Sequence, residues 1–288
     1  MLIESLEPVL TSLIVVNYEG DVDENGLYHG QGLASFDNQS SYDGDFKAGL
    51  PDGNGVYTWP DGVLYDGSFK VGQITGHGWF KWPEGSFYRG DVYCGKRHGN
   101  GHFTCSAGQF YEGDWVDGKR SGQGKMFYNE EKTIIYTGTW LNGLREGYGS
   151  IRYASGNSYE GEWKLDKKHG RGAMIWKDLD EVYIGDWMDD KPHGNGEHIW
   201  GDGGNKPMNR AHCNIYRGEW FAGIREGHGT FFYANGSQYT GQWKDNQKNG
   251  EGVFIQADGT ITKVSKILLI SRFTTSASSH TIYFRVYI

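Results

Sequence analysis

The sequence predicts an all-β fold: an elongated, single-layer antiparallel sheet of about ten stacked hairpins, forming an open, solenoid-like rod or groove. Three observations predict it. The pattern Tyr-x-Gly-x-(large apolar) returns about every 23 residues, a Gly-x-Gly pair follows each at a near-constant distance, and turn dipeptides flanked by β-prone residues separate each pair from the next Tyr.

The units begin at Tyr18, Tyr42, Tyr65, Tyr88, Tyr111, Tyr136, Tyr159, Tyr183, Tyr216 and Tyr239. The third place is Gly in every unit, from Gly20 to Gly241, and the fifth runs Val22, Phe46, Phe69, Val92, Trp115, Trp140, Trp163, Trp187, Trp220, Trp243. Gly-x-Gly falls eleven residues after the Tyr, as in Gly53-x-Gly55, except in the first unit, where Gly30-x-Gly32 lies twelve after it. Such irregularity suits a capping unit. Length varies only between Gly-x-Gly and the next Tyr, so that segment holds the variable turn. Its centre is Asp61-Gly62, Glu84-Gly85, Ser155-Gly156 or Asn235-Gly236, dipeptides that accept positive φ at little steric cost. A lone hairpin is marginal in water, so the units must stack, with the Tyr and Trp of one unit expected to cover glycine backbone in the next. Two strands per unit at about 4.8 Å give a rise of roughly 10 Å per repeat and a length on the order of 90 to 100 Å.

The chain therefore divides into a lead-in or cap (1–17), a repeat array (18–262) and a divergent tail (263–288) that is basic, hydroxyl-rich and β-branched, read as disordered or as an edge-pairing strand. A formal charge of −8 makes nucleic acid an unsuitable partner, because phosphate binding requires a concentrated basic surface. Anionic lipid meets the same objection in weaker form. Cys94, Cys105 and Cys213 have no metal-ligand spacing and do not pair off, which fits a reducing compartment. The acidic N-terminus lacks the features of a secretory signal, and the longest apolar stretches fall far short of the roughly 20 residues that span a bilayer, so the chain reads as soluble or peripheral.

The 46 glycines do not form a nucleotide site: no Gly-x-Gly continues into a dinucleotide fingerprint, and no Gly-Lys-Ser/Thr loop exists. No nucleophile elbow or metalloprotease helix motif gives catalysis an anchor, and no cofactor is expected. His98, His169 and His193 share one phase of the repeat, but Asp52, Thr75, Ser121, Glu146, Glu226 and Asn249 occupy it elsewhere, which argues for packing rather than a metal ladder. Lys96, Arg97, Lys119 and Arg120 precede their Gly-x-Gly pairs and are the candidate lipid-headgroup row, with acidic residues such as Asp114 and Glu162 expected to balance them. Tyr111, Trp115, Tyr136, Trp140, Tyr159, Trp163, Tyr183, Trp187, Tyr216 and Trp220 are the candidate stacking or protein-binding aromatics, core first and groove lining second.

The string from Tyr111 through Glu-Gly-Asp-Trp-Val-Asp-Gly-Lys-Arg-Ser-Gly-Gln to Gly124 resembles the MORN repeat, whose name refers to membrane occupation and recognition. Within that family, the lead-in from Leu10 to Gly20, the segment Gly55-Val-Tyr-Thr-Trp-Pro-Asp-Gly62 and the insertion from Gly201 to Ile215 resemble the radial spoke head members of motile cilia and flagella. This resemblance implies a cytoskeletal scaffold in the axoneme, partnered by other axonemal or radial spoke proteins. Self-association through unpaired end strands is a further expectation. A phosphoinositide-binding peripheral module is the alternative, and a regulatory array of an enzyme is disfavoured because no catalytic segment follows Thr262.

Overall fold

The computed structural model describes residue 8 and residues 14–201 and 213–265. Among these, every regular element is a strand, β1 to β21 in chain order, and each strand pairs antiparallel with its successor. The sheet is an uninterrupted meander that does not close. Its outer strands are β1 (Val15–Val22) and β21 (Ile261–Ser265). The expected architecture is therefore what forms. The insertion from Gly201 to Ile215 and the tail lie mostly outside the described residues; the expected array boundary at 262 falls inside β21.

Each unit supplies a tyrosine strand and a Gly-x-Gly strand, as in β13 (Ser158–Lys164) and β14 (Lys167–Trp176). Two kinds of turn alternate. At the expected site, Gly62 N–H donates to Trp59 O and Trp59 N–H to Val63 O, closing a three-residue loop with Gly62 at φ 87°. This is a type I turn followed by a left-handed residue. The opposite turn is a two-residue one that the sequence reading did not separate: both central residues have positive φ, as in Ala48-Gly49, Val71-Gly72, Asn142-Gly143 and Leu165-Asp166. That is the type I′ geometry, whose twist matches the strands it joins.

Tertiary order rests on a row of glycines perpendicular to the strands. Each strand from β1 to β20 contributes one, paired in register, for example Gly149 with Gly161, Gly161 with Gly172 and Gly172 with Gly185. In β21 the place of Gly goes to Val264, opposite Gly252, and the place of Tyr to Thr262. The two glycines of Gly170-x-Gly172 answer different needs. Gly170 has φ 55° at a β-bulge, whereas Gly172 lies beneath the Tyr159 ring, which a Cβ would overlap.

Candidate functional site

Side chains alternate across the strands, so the sheet has an aromatic face and a polar face. On the aromatic face, Tyr159 lies flat over Gly161 and Gly172 of its own unit, and its hydroxyl donates to Glu162 O at 2.9 Å. Trp163 reaches back to the preceding unit, where its Nε1–H donates to Gly149 O at 3.1 Å. The expected division of labour thus needs correction: Tyr covers glycine within its own unit, and Trp alone crosses to the neighbour. Each fifth-place Trp ring, from Trp115 to Trp243, meets two tyrosines edge-on. Trp163 stands 5.2 Å from Tyr159 and 5.4 Å from Tyr136, at interplanar angles of 89° and 87°. The same alternation runs from Tyr111 to Tyr239, an arrangement that adds about 0.5–1.5 kcal/mol per pair beyond area burial. Burial raises the hydroxyl pKa of Tyr111, Tyr136, Tyr159, Tyr183 and Tyr216, so they remain neutral donors.

All ten candidate aromatics are buried, the most exposed being Trp220 at 7%. They hold the units together and do not line an open groove, which corrects their second role. The basic row meets a similar correction. Arg97 is 1% exposed; its guanidinium lies 4.4 Å from the Trp115 ring centroid and donates to Gly118 O at 3.1 Å. Arg120 repeats this on Trp140 and Gly143 O, and Arg145 on Trp163, where it also donates to Asp166 Oδ1 and Asp166 O. Gly118 N–H donates back to Arg97 O and Gly143 N–H to Arg120 O, so each arginine and the next unit's turn clasp one another. For Arg97 and Arg120 the clasp is invisible to a scan for charge pairs because the acceptors are backbone carbonyls. The signal that could have found it was the covariation of Arg or Lys with Trp one unit on. Of the headgroup candidates, Lys96 and Lys119 alone are exposed.

The acidic residues expected to balance that row stand on the other face. Asp114 accepts from Gln123 N at 2.8 Å, Glu162 from Arg171 N at 2.8 Å, and Asp186 from Asn195 N at 2.9 Å, satisfying the backbone donor that each bulge would leave unpaired. The histidine phase is also a capping position. His98 Nδ1 accepts from Asp117 N, His193 Nδ1 from Ala222 N, Asp52 from Val71 N and Glu146 from Leu165 N, so any acceptor of the right length serves there.

Along the glycine row the polar face forms a shallow trough of about 530 Å³ between Tyr148 and Arg217. Glycine backbone is its floor. Its walls carry Glu160, Arg171, Ala173, Ile184, Asn195 and Glu197, with Ile184 46% exposed. Tyr148 donates to Glu160 at 3.0 Å, Arg171 pairs with Asp186 at 3.1 Å, and Arg217 pairs with Glu197. No member of the set is a nucleophile beside a base, so what the trough offers is a surface for a chain to lie on.

These features define a class of all-β repeat arrays in which every contact is made between neighbouring units. The chain belongs to the MORN-repeat family: the family model matches residues 18–41, 42–63, 65–87, 88–110, 111–130, 136–158, 159–181, 183–205, 216–238 and 239–261. It is thus a repeat module of the protein-interaction or membrane-binding kind. No curated protein matches it. Among solved structures, the TCP domain of SAS-4 from Drosophila melanogaster, in complex with a proline-rich motif of Ana2, is 10% identical, with 74% of this chain and 84% of that chain covered and a TM-score of 0.22. A catalytically inactive virginiamycin B lyase from Staphylococcus aureus with quinupristin is 11% identical, with 87% and 99% covered and a TM-score of 0.16. Likenesses this low bear on neither shape nor function.

Proposed function

We propose that this chain is a non-catalytic scaffold that docks other proteins along the polar-face trough and at its open end strands, within the radial spoke head of motile cilia and flagella. The observation that carries the scaffold reading is the continuity of the sheet: a single meander presents one row of glycine backbone flanked by side-chain positions that recur with each unit. Rigidity and length are its mechanism. The cytoskeletal, axonemal location rests on the resemblance of the lead-in, the Gly55–Gly62 segment and the insertion before Tyr216. Open end strands favour homo-oligomers as well, since unpaired backbone groups invite another strand.

Proximity labelling of the tagged chain in multiciliated cells tests this. Axonemal signal with spoke components labelled is expected, and Ile184→Glu should remove part of that set, because it places a charge on the trough wall. Labelling confined to non-axonemal proteins overturns the location.

The phosphoinositide reading is weakened by the clasp, which commits Arg97 and Arg120 to the aromatic face. Flotation with phosphoinositide vesicles at physiological salt is expected to leave the protein unbound. Binding that Lys96→Gln and Lys119→Gln abolish would restore that reading.

A further inference from the structure

The N-terminal part of the polar face has a composition and a spacing of its own. Glu19, Asp43 and Asp66 stand on β1, β3 (Ser41–Lys47) and β5 (Leu64–Lys70), in one row beside the glycines. Between them on β2 (Tyr28–Phe36) and β4 (Leu50–Thr58), and just beyond on β6 (Gln73–Lys81), lie Leu33, Val56 and Trp79, each paired across to a carboxylate: Leu33 with Asp43, Val56 with Asp66, Trp79 with Asp66. Glu19 and Asp43 are exposed, as is Leu33. On the other side of the glycine row stand Asp21, Asp45 and Asp91, and Asp45 and Asp91 cap bulges through Asn54 N and Asn100 N. Arg89 ends the acidic row.

Carboxylates two strands apart repeat at about 9.6 Å along the array. A β-strand laid along the row would present its first and fourth residues to opposite faces. A polyproline-II segment returns to the same face every third residue, after about 9.3 Å. Its preformed backbone loses little entropy on docking, and the apolar residues between the carboxylates suit proline rings.

We propose that the row Glu19, Asp43, Asp66, with Leu33 and Val56 between and Trp79 beyond, docks a partner's polyproline-II segment bearing Lys or Arg at every third residue. This rests on the scaffold reading and names the partner chemistry of its N-terminal units.

The test is fluorescence anisotropy on the full chain at physiological ionic strength, with two labelled peptides of identical composition: a Lys-Pro-Pro repeat, and one with all its lysines at one end. The periodic peptide should bind at least about fivefold tighter, and Asp43→Asn with Asp66→Asn should weaken it by about fivefold, as expected for exposed charge pairs acting together. The Glu251→Gln variant, on the same face at the far end, should bind it as the parent does. Equal affinity for the two peptides, or indifference to the double substitution, overturns the proposal. If no peptide binds while Ile184→Glu still removes partners in proximity labelling, this proposal falls and the scaffold reading stands. If Ile184→Glu also leaves every partner in place, both fall.

Discussion

In the units that begin at Tyr42 and Tyr65, the residue two places before Gly-x-Gly is apolar: Pro51, paired with Phe46, and Ile74, paired with Phe69. From the fourth unit onward it is Arg97 over Trp115, Arg120 over Trp140, Arg145 over Trp163, Lys168 over Trp187 and Arg225 over Trp243. Pro192, before Trp220, is the exception, and it precedes the long insertion. The early junctions are aliphatic or aromatic plugs, with Ile74 1% exposed and Val92 3%. Trp59, Phe80 and Trp82 fill the neighbouring space, with centroids 6.3 and 5.6 Å apart. The later junctions replace that apolar volume with a cation on an indole, tied to the following turn. Both solutions seal the same seam. The first is cheaper in polar groups to satisfy; the second fixes direction, because guanidinium and turn carbonyl must meet.

The feature common to both regions should be the most costly to disturb. Gly161→Val would drive methyl groups into the Gly172 backbone and the Tyr159 ring, and Gly44→Val would do the same against Gly55 and Tyr42. We expect each to destabilise by more than about 4 kcal/mol, the scale of severe overpacking with backbone displacement, measured by denaturant unfolding. His169→Gln should change stability by less than about 0.5 kcal/mol, since it sits at a surface capping phase. Equal effects from Gly161→Val and His169→Gln would undo the assignment of glycines to packing.

Next in size comes the clasp. Arg145→Met keeps the stem volume but removes two hydrogen bonds, to Asp166 Oδ1 at 3.0 Å and Asp166 O at 2.7 Å, and the cation–π contact with the indole face. The Arg145 side chain is 18% exposed, so the loss should be about 2 kcal/mol in chemical unfolding. Ile74→Val, at an early junction, should cost about 1 kcal/mol through lost volume alone. High salt should screen the Asp166 Oδ1 ion pair but spare the Asp166 O bond and the indole contact, so a reduced but persistent Arg145→Met effect is expected there. If the loss vanishes in high salt, the clasp is only a surface ion pair.

A third difference between regions is titratable. In the row that elsewhere holds Phe80, Phe103, Met174 and Phe231, the eighth unit has His198, stacked 4.0 Å from Trp200 and 3.0 Å from Glu181. Burial, then the nearby Arg225 charge, pushes its pKa down to about 4, below the ordinary 6.5. The unfolded chain therefore binds the proton more readily than the folded one. Stability from a neutral His198 is complete above about pH 6.5 and falls as pH drops towards 4, by about 2 kcal/mol at pH 5. In His198→Phe this slope should flatten, while a variant in the aliphatic junctions, such as Ile74→Val, should keep it. Thermal melts at pH 7 and pH 5 decide.

How much of this was legible follows from what repeats. The Tyr, its Gly and the Gly-x-Gly pair recur at fixed phase, so the hairpin array and its stacking could be read directly. The type I′ turn was concealed because, although Asp117-Gly118 and Asn142-Gly143 announce it, Ala48, Val71, Cys94, Leu165 and Ala222 hold the same first place without signalling positive φ. The roles of Arg97 and Arg120 were hidden for a related reason: charge suggests solvent, whereas the acceptor that buries the charge is backbone, and backbone has no letter in the sequence. Asp114 and Glu162 likewise bond to N–H groups of bulges, which only register reveals.

The smallest expected effect concerns those concealed turns and separates tip from seam. Val71 holds φ 48° and Leu165 φ 50°, a conformation that β-branched and bulky side chains resist and that Asn adopts at low cost. Their N–H groups keep acceptors in Asp52 at 3.1 Å and Glu146 at 2.9 Å, and both side chains are exposed, so replacement disturbs no packing. Val71→Asn and Leu165→Asn should therefore each stabilise by about 0.5–1 kcal/mol, read as a raised denaturation midpoint with unchanged slope. The strain belongs to the backbone of the turn, so the gain should be similar beside an aliphatic junction and beside the Arg145 clasp. A gain confined to Leu165→Asn would mean that the clasp transmits tip geometry into the seam, and that the two halves of the array differ in their turns as well as in their joints.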